Sequence, residues 1–260
     1  MALCFLTLGL IFVPRVFSVE EQKTAAALSR IRAFTPGETV TYEISWSKIV
    51  TAGTAVMEVK EERLPNGKKV LRFIATSRSV GVVDKVYPVN DTVQSLFDPQ
   101  IMQSLSFNLN ESHGKRKRQR TLTFDHAGRT VVSRVNNDPP QTLTIPGQVQ
   151  DALSSLFYLR TMDDFTIGKN HVIEVHDSGK NWSVEVLTLG REKVKTPAGE
   201  FNTIKVKTFP RYEGVFMNKG EIFIWLTDDI RKIPVLMKST ISIGSIVTTM
   251  TDMKLGQVAR

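Results

Sequence analysis

Phe201-Asn-Thr-Ile-Lys-Val-Lys-Thr208, Ile222-Phe-Ile-Trp-Leu-Thr-Asp-Asp229 and Pro234-Val-Leu-Met-Lys-Ser-Thr-Ile241, three runs within Gly190 to Leu255, decide how this chain folds. Apolar residues recur there at every second position and turn residues break the runs, which reads as an antiparallel meander. Ile204, Val206 and Thr208 point one way while Lys205 and Lys207 point the other, so this strand is buried on one face and wet on the other. Ile222, Ile224 and Leu226 fill one face of the next strand and Phe223 and Trp225 the opposite one, which predicts a central strand covered on both sides. Thr227-Asp228-Asp229 turns the chain, and Pro234 admits the strand Val235 to Ile243 at its start, where a missing N–H costs little.

Upstream, Ala2 to Val13 is nearly all apolar, and Val16-Phe17-Ser18 precedes a break into Val19-Glu20-Glu21. This is a secretory signal with cleavage after Ser18. The run is too short for a transmembrane helix, and nothing later is long enough. The single cysteine, Cys4, lies inside this leader, so the mature chain carries neither thiol nor disulfide. A secreted domain held only by its own core suits a bacterial periplasm better than a small eukaryotic ectodomain. The 260 residues, 41% hydrophobic and 23% charged, suffice for such a core. The net charge of +8 favours acidic partners, and in an envelope these are lipid headgroups and anionic polysaccharides rather than nucleic acid.

In order along the chain, residues 19–33 are an alanine-rich lead, and Phe34-Thr-Pro-Gly-Glu is a turn launching the strand Thr39 to Trp46. Ala52-Gly53-Thr54 permits a bulge or close approach before a strand over Ala55 to Lys60, and Pro65-Asn66-Gly67 closes a hairpin onto Val70 to Ala75. Strands follow at Ser104 to Asn110, Thr121 to Phe124 and Thr130 to Val135, then a loop at Asn136-Asn-Asp-Pro-Pro140. One helix is expected over about 148–160, with Val149, Leu153, Leu156 and Phe157 on one face, Asp151 at its positive end and Arg160 at its negative end. Strands Asn170 to Val175 and Trp182 to Leu189 lead into the meander. The expected fold is mainly β: one domain, 34–256, built as a large curled antiparallel sheet, half-barrel or barrel-like, with the helix packed on its concave side.

Catalytic chemistry is hard to find. His113, His126, His171 and His176 do not form a ligand set, so no metal site is expected. No Gly-x-Ser-x-Gly elbow or phosphate-cradling glycine loop occurs. Asp228-Asp229, Asp163-Asp164 and Glu61-Glu62 are adjacent acids of the kind that usually form solvated turns. Lys115-Arg-Lys-Arg-Gln-Arg120 is the strongest charge signal. It serves either as a strand edge that resists aggregation or, through Lys115, Arg116, Lys117, Arg118 and Arg120, as a contact for anionic headgroups. No aromatic residue is interleaved, which argues against nucleic acid. Tyr42, Trp46, Tyr87, Trp182, Phe223 and Trp225 are candidates to line a cavity, or simply core.

Several longer stretches carry a resemblance. Phe34-Thr-Pro-Gly-Glu-Thr-Val-Thr-Tyr-Glu-Ile-Ser-Trp46, Ala52-Gly-Thr-Ala55, Asp151-Ala-Leu-Ser-Ser-Leu-Phe-Tyr-Leu-Arg160, Thr196-Pro-Ala-Gly-Glu-Phe201 and Ile224-Trp-Leu-Thr-Asp-Asp-Ile-Arg-Lys-Ile-Pro-Val235 together resemble the exported bacterial family catalogued as domain of unknown function 3108, over about Phe34 to Leu255. The resemblance implies an envelope protein with a curled antiparallel sheet and no settled activity. The Ile224–Val235 wording also resembles the closing strands of periplasmic lipoprotein carriers, whose half-open sheet wraps an acyl chain. The expectation is therefore a periplasmic protein, peripheral to the outer membrane, that binds a lipid or other hydrophobic ligand and carries no cofactor and no enzymatic site. Lipid, acidic glycan and an envelope-biogenesis protein are the expected partners. The alternative is an interaction or scaffold protein for envelope biogenesis, with an envelope hydrolase a distant third.

Overall fold

A computed structural model describes residues 33–47, 49–212, 215–216, 221–241 and 244–256. The expected leader, residues 1–18, and nearly all of the lead that follows lie outside the described residues. The strands are β1 (Thr39–Trp46), β2 (Val50–Arg63), β3 (Lys69–Ser79), β4 (Asn90–Asp98), β5 (Gln103–His113), β6 (Arg116–Asp125), β7 (Thr130–Val135), β8 (Gln141–Thr144), β9 (Asn170–Asp177), β10 (Lys180–Thr196), β11 (Gly199–Tyr212), β12 (Val215–Phe216), β13 (Ile222–Thr227), β14 (Pro234–Ile241) and β15 (Gly244–Lys254). Two helices join them, α1 (Gly81–Val86) and α2 (Ala152–Arg160).

Apart from the short β12, which pairs only with β11, the strands form one sheet in the order β8-β7-β6-β5-β4-β3-β2-β1-β15-β14-β13-β11-β10-β9. Every ladder is antiparallel and most connect chain neighbours. Besides β11 with β13, which skip the short β12, the exception is β1 with β15, which joins the two ends of the chain at the middle of the sheet and leaves β8 and β9, close in sequence, as its far edges. The curled sheet is not closed into a barrel. Register shifts at Thr41/Tyr42, Ile44/Ser45, Leu96/Phe97, Thr188/Gly190 and Trp225/Leu226 bend and twist it. Gly53 sits beside one of these, and a Cβ there would lie 2.4 Å from the Arg78 carbonyl oxygen, so β2 and β3 approach more closely than a side chain allows.

The concave side holds two apolar clusters with α2 between them. The first takes Phe73, Phe97, Phe107 and Leu122 from β3 to β6 together with Leu153 and Phe157 of α2. Phe73 and Phe157 stack with centroids 3.8 Å apart, and Phe34 meets both edge-on at 5.2 and 5.8 Å. Phe34, read as part of a turn, is thus a centrepiece of the core. The second cluster takes Ile173, Val175, Val186, Ile204, Val206, Ile224 and Leu226 from β9, β10, β11 and β13, with Leu159 of α2.

Three expectations need correction. The helix begins at Ala152, not 148, because the Gln150 backbone bonds to β9 instead, accepting from His176 N and donating to Glu174 O at 2.8 Å each. Asp151 is its N-cap: the carboxylate accepts from the backbone N–H groups of Leu153 and Ser154 at 2.8 Å, and the Ser154 hydroxyl accepts from Asp151 N at 3.0 Å. A second helix, α1, stands where none was expected; it buries no residue, so it has no apolar stripe to read. β2, β10 and β11 extend well beyond the apolar runs that announced them, because their ends are held by pairing to neighbours rather than by burial.

Candidate functional site

Between α2 and strands β9 to β14 the second cluster leaves a cavity of about 540 Å³. Its helical wall is Leu156 and Leu159, and its sheet wall includes Ile173, Val175, Trp182, Val184, Val186, Ile222, Ile224 and Met237. The polar groups on this lining are Ser155, Thr208 and Asp177. The space opens to solvent beside Ala152 and Ile222, both exposed, so it is an apolar hollow in the concave side and not an enclosed void. It falls within the range of about 300–1,000 Å³ usual for small-molecule sites.

The sheet's open seam lies beside this cavity. Arg120, on β6 and only 5% exposed, reaches across it to Asp177 Oδ1 at 2.5 Å and Ser178 Oγ at 2.7 Å. Asn181 Nδ2 donates to Thr144 O at 2.9 Å alongside. The two edges are therefore joined by side chains and by the Gln150 backbone, not by a ladder. At the same end, the Trp182 and Tyr212 rings lie 5.3 Å apart and the Lys180 ammonium sits 4.5 Å from the Tyr212 ring.

Of the six aromatic candidates, Trp182 is in the cavity wall. Trp46, 44% exposed, shares a face and a cross-strand row with Ile246, Ser239 and Ile222, which places it at the edge of the same concave surface. Tyr42 is core: it is 1% exposed and its hydroxyl donates to Pro234 O at 3.0 Å, with burial raising its pKa well above the ordinary value. Tyr87 is 52% exposed at the end of α1, beside His113. Phe223 and Trp225 occupy the convex face, as their alternation with Ile222, Ile224 and Leu226 requires. There they line a separate hollow of about 380 Å³ with Lys205 and Lys238. The Trp225 indole N–H donates to Glu192, a bond that lowers the pKa of that carboxyl.

The basic run divides. Arg116, Arg118 and Arg120 share the inward side of β6 with Leu122 and Phe124, growing more buried in that order, while Lys117 is exposed on the opposite side and Lys115 lies in the turn. Glu111 stands 3.9 Å from Arg118. The adjacent acids are tied up in local pairs: Glu61 with Lys69 at 3.0 Å, Glu62 with Arg72 at 2.5 Å, and Asp228 with Arg191 at 2.9 Å. Among the described residues no group of three or more His, Cys, Asp or Glu side chains is placed to hold a metal ion, and no helix is long and apolar enough to cross a membrane.

Most of the cavity wall went unread as a site. Its signal was present, since Ile173 and Val175, Val184 and Val186, and Ile222 and Ile224 each alternate. The same alternation describes ordinary core, and only the position of α2 separates the two.

Comparison with solved structures places the fold among known ones. A beta-barrel-like protein of domain of unknown function DUF1849 from Brucella abortus aligns with a TM-score of 0.57 at 11% identity, over 86% of this chain and 100% of that one. Two others align less well: a "putative lipoprotein" from Parabacteroides distasonis, with TM-score 0.38 and 12% identity over 85% of this chain and 98% of that one, and a "putative exported protein with YmcC-like fold" from Bacteroides fragilis, with TM-score 0.36 and 16% identity over the same shares. No curated protein matches the chain. The family model for proteins of unknown function DUF3108 matches residues 41–251, which bears out the resemblance read from the sequence. The chain belongs to the DUF3108 family of proteins of unknown function.

Proposed function

We propose that this protein is an exported envelope protein that binds a lipid or other hydrophobic ligand in the cavity between α2 and β9 to β14. The observation that carries this reading is an apolar space of about 540 Å³ flanked by a seam that no backbone ladder closes. A wall made mostly of aliphatic side chains offers a ligand burial but little directional bonding, which suits a hydrocarbon better than a polar substrate. The role is binding, without a reaction. The apolar leader Ala2 to Val13 and the cysteine-free mature chain support export to a periplasm.

The test uses the apolar dye N-phenyl-1-naphthylamine. It should fluoresce on binding the wild-type protein and bind about tenfold more weakly to Val184→Trp, whose indole fills the cavity. Equal binding by a folded Val184→Trp, or no binding by either protein, would remove the cavity from the account. Lipid extracted from protein purified out of its own envelope identifies the ligand.

A further inference from the structure

The arginines of β6 bear on the polar end of the ligand, an inference that rests on the cavity reading above. Arg120 is the link: it is bonded to Asp177, which is itself part of the cavity lining. Its guanidinium carbon lies 5.3 Å from the Phe107 ring centroid, and its buried Nε has no acceptor among the described residues. A guanidinium offers five N–H donors, so the bonds to Asp177 and Ser178 leave capacity for an incoming anion. Arg118 and Arg116 follow on the same inward side, at successive steps of about 6.8 Å along β6.

The charge balance decides which of them matters. Arg120 is already neutralised by Asp177, 2.5 Å away, so by itself it adds no net positive charge to the rim. Arg118 is only loosely opposed, by Glu111 at 3.9 Å with both side chains partly exposed. Arg116 is exposed and has no ion-pair partner among the described residues. The concave surface is thus apolar between α2 and β9 to β13 and positive along β6, with the seam as the boundary. We infer that the cavity takes a single-chain amphiphile with an anionic head, carboxylate or phosphate: the chain lies under α2, and the head pairs with Arg118 and with the spare donors of Arg120. Planar guanidinium groups match both head types through paired hydrogen bonds.

Displacement of bound N-phenyl-1-naphthylamine by laurate, dodecyl phosphate, dodecanol and inorganic phosphate tests this. Both anionic amphiphiles should displace the dye at about tenfold lower concentration than dodecanol, and inorganic phosphate alone should not displace it. In Arg118→Gln the preference should shrink to about twofold while dodecanol is unaffected, and Arg120→Lys, which keeps the charge but loses the planar fork, should reduce it partway. Equal displacement by all three C12 compounds would overturn the anionic head, an undiminished preference in Arg118→Gln would overturn its pairing with Arg118, and either would leave the apolar cavity standing. Failure of every amphiphile to displace the dye would sink the cavity reading as well.

Discussion

Arg160 shows how far a single side chain can reach. Its guanidinium donates to both Glu38 oxygens at 2.7 and 2.9 Å, to Ala33 O at 2.5 Å and to Arg231 O at 2.8 Å, and it lies over the rings of Phe34 and Phe157. Arg160 and Glu38 are 2% and 3% exposed. Arg160→Met leaves the Glu38 carboxyl in the core without its partner and should cost about 3–5 kcal/mol in urea unfolding, and Arg160→Met with Glu38→Leu should recover most of that loss. A loss below about 1 kcal/mol would mean that water reaches the pair. His176 makes a pH prediction. Its ring is buried with Nδ1 2.7 Å from Asn181 Oδ1, and burial holds its pKa below the ordinary 6.5. The folded protein therefore takes up this proton later than the unfolded chain does. The stability involved is complete above 6.5 and is lost as pH falls from there through the folded pKa. Tm should fall between about pH 7.5 and about pH 5, and fall less in His176→Gln; parallel declines would acquit the histidine. The sequence marked Arg160 only as a favourable helix end, because its partners, Glu38 and Arg231, are separated from it along the chain.

Among the elements, α2 depends on its cap. The buried Asp151 carboxylate also accepts from the Ser95 and Ser104 hydroxyls at 2.5 Å, so it fastens the helix to β4 and β5. Burial pushes its pKa up, and these hydrogen bonds pull it back down. Asp151→Ala removes the cap and leaves two buried hydroxyls to find other acceptors, for an expected loss of about 2–4 kcal/mol by chemical denaturation; Asp151→Asn, which keeps an acceptor, should lose less. Equal losses in the two variants would show that the capping bonds are not what holds the helix. Strand centres were legible because burial on one face imposes a period of two on the residues themselves. Strand ends, the short β8 and the exposed α1 were not, since pairing across the sheet fixes them and leaves no apolar pattern behind.

At the scale of the molecule, the ladder of β1 with β15 unites two meanders that would otherwise each end in an open edge. Removing residues 244–260 strips β1 and β14 of a shared partner and of Val247 and Met250 from the core. That truncated chain should show no cooperative thermal transition and no near-ultraviolet dichroism. A sharp transition would mean that one meander folds alone. The pairing spans most of the chain, so closing it is entropically costly and folding should be slow for a domain of this size.

The sequence by itself determined the local alternation, the principal turns, the place of α2 to within a few residues and the family, because each is written in near neighbours or in contiguous wording. Only the tertiary structure decided which apolar face would be filled and which left hollow, that Phe34 and Arg160 would anchor the core, and that the basic run would send its arginines inward and a lysine outward. Those outcomes depend on which distant strands meet across the concave side, and a period of two gives the same signal for a packed wall as for the lining of a cavity.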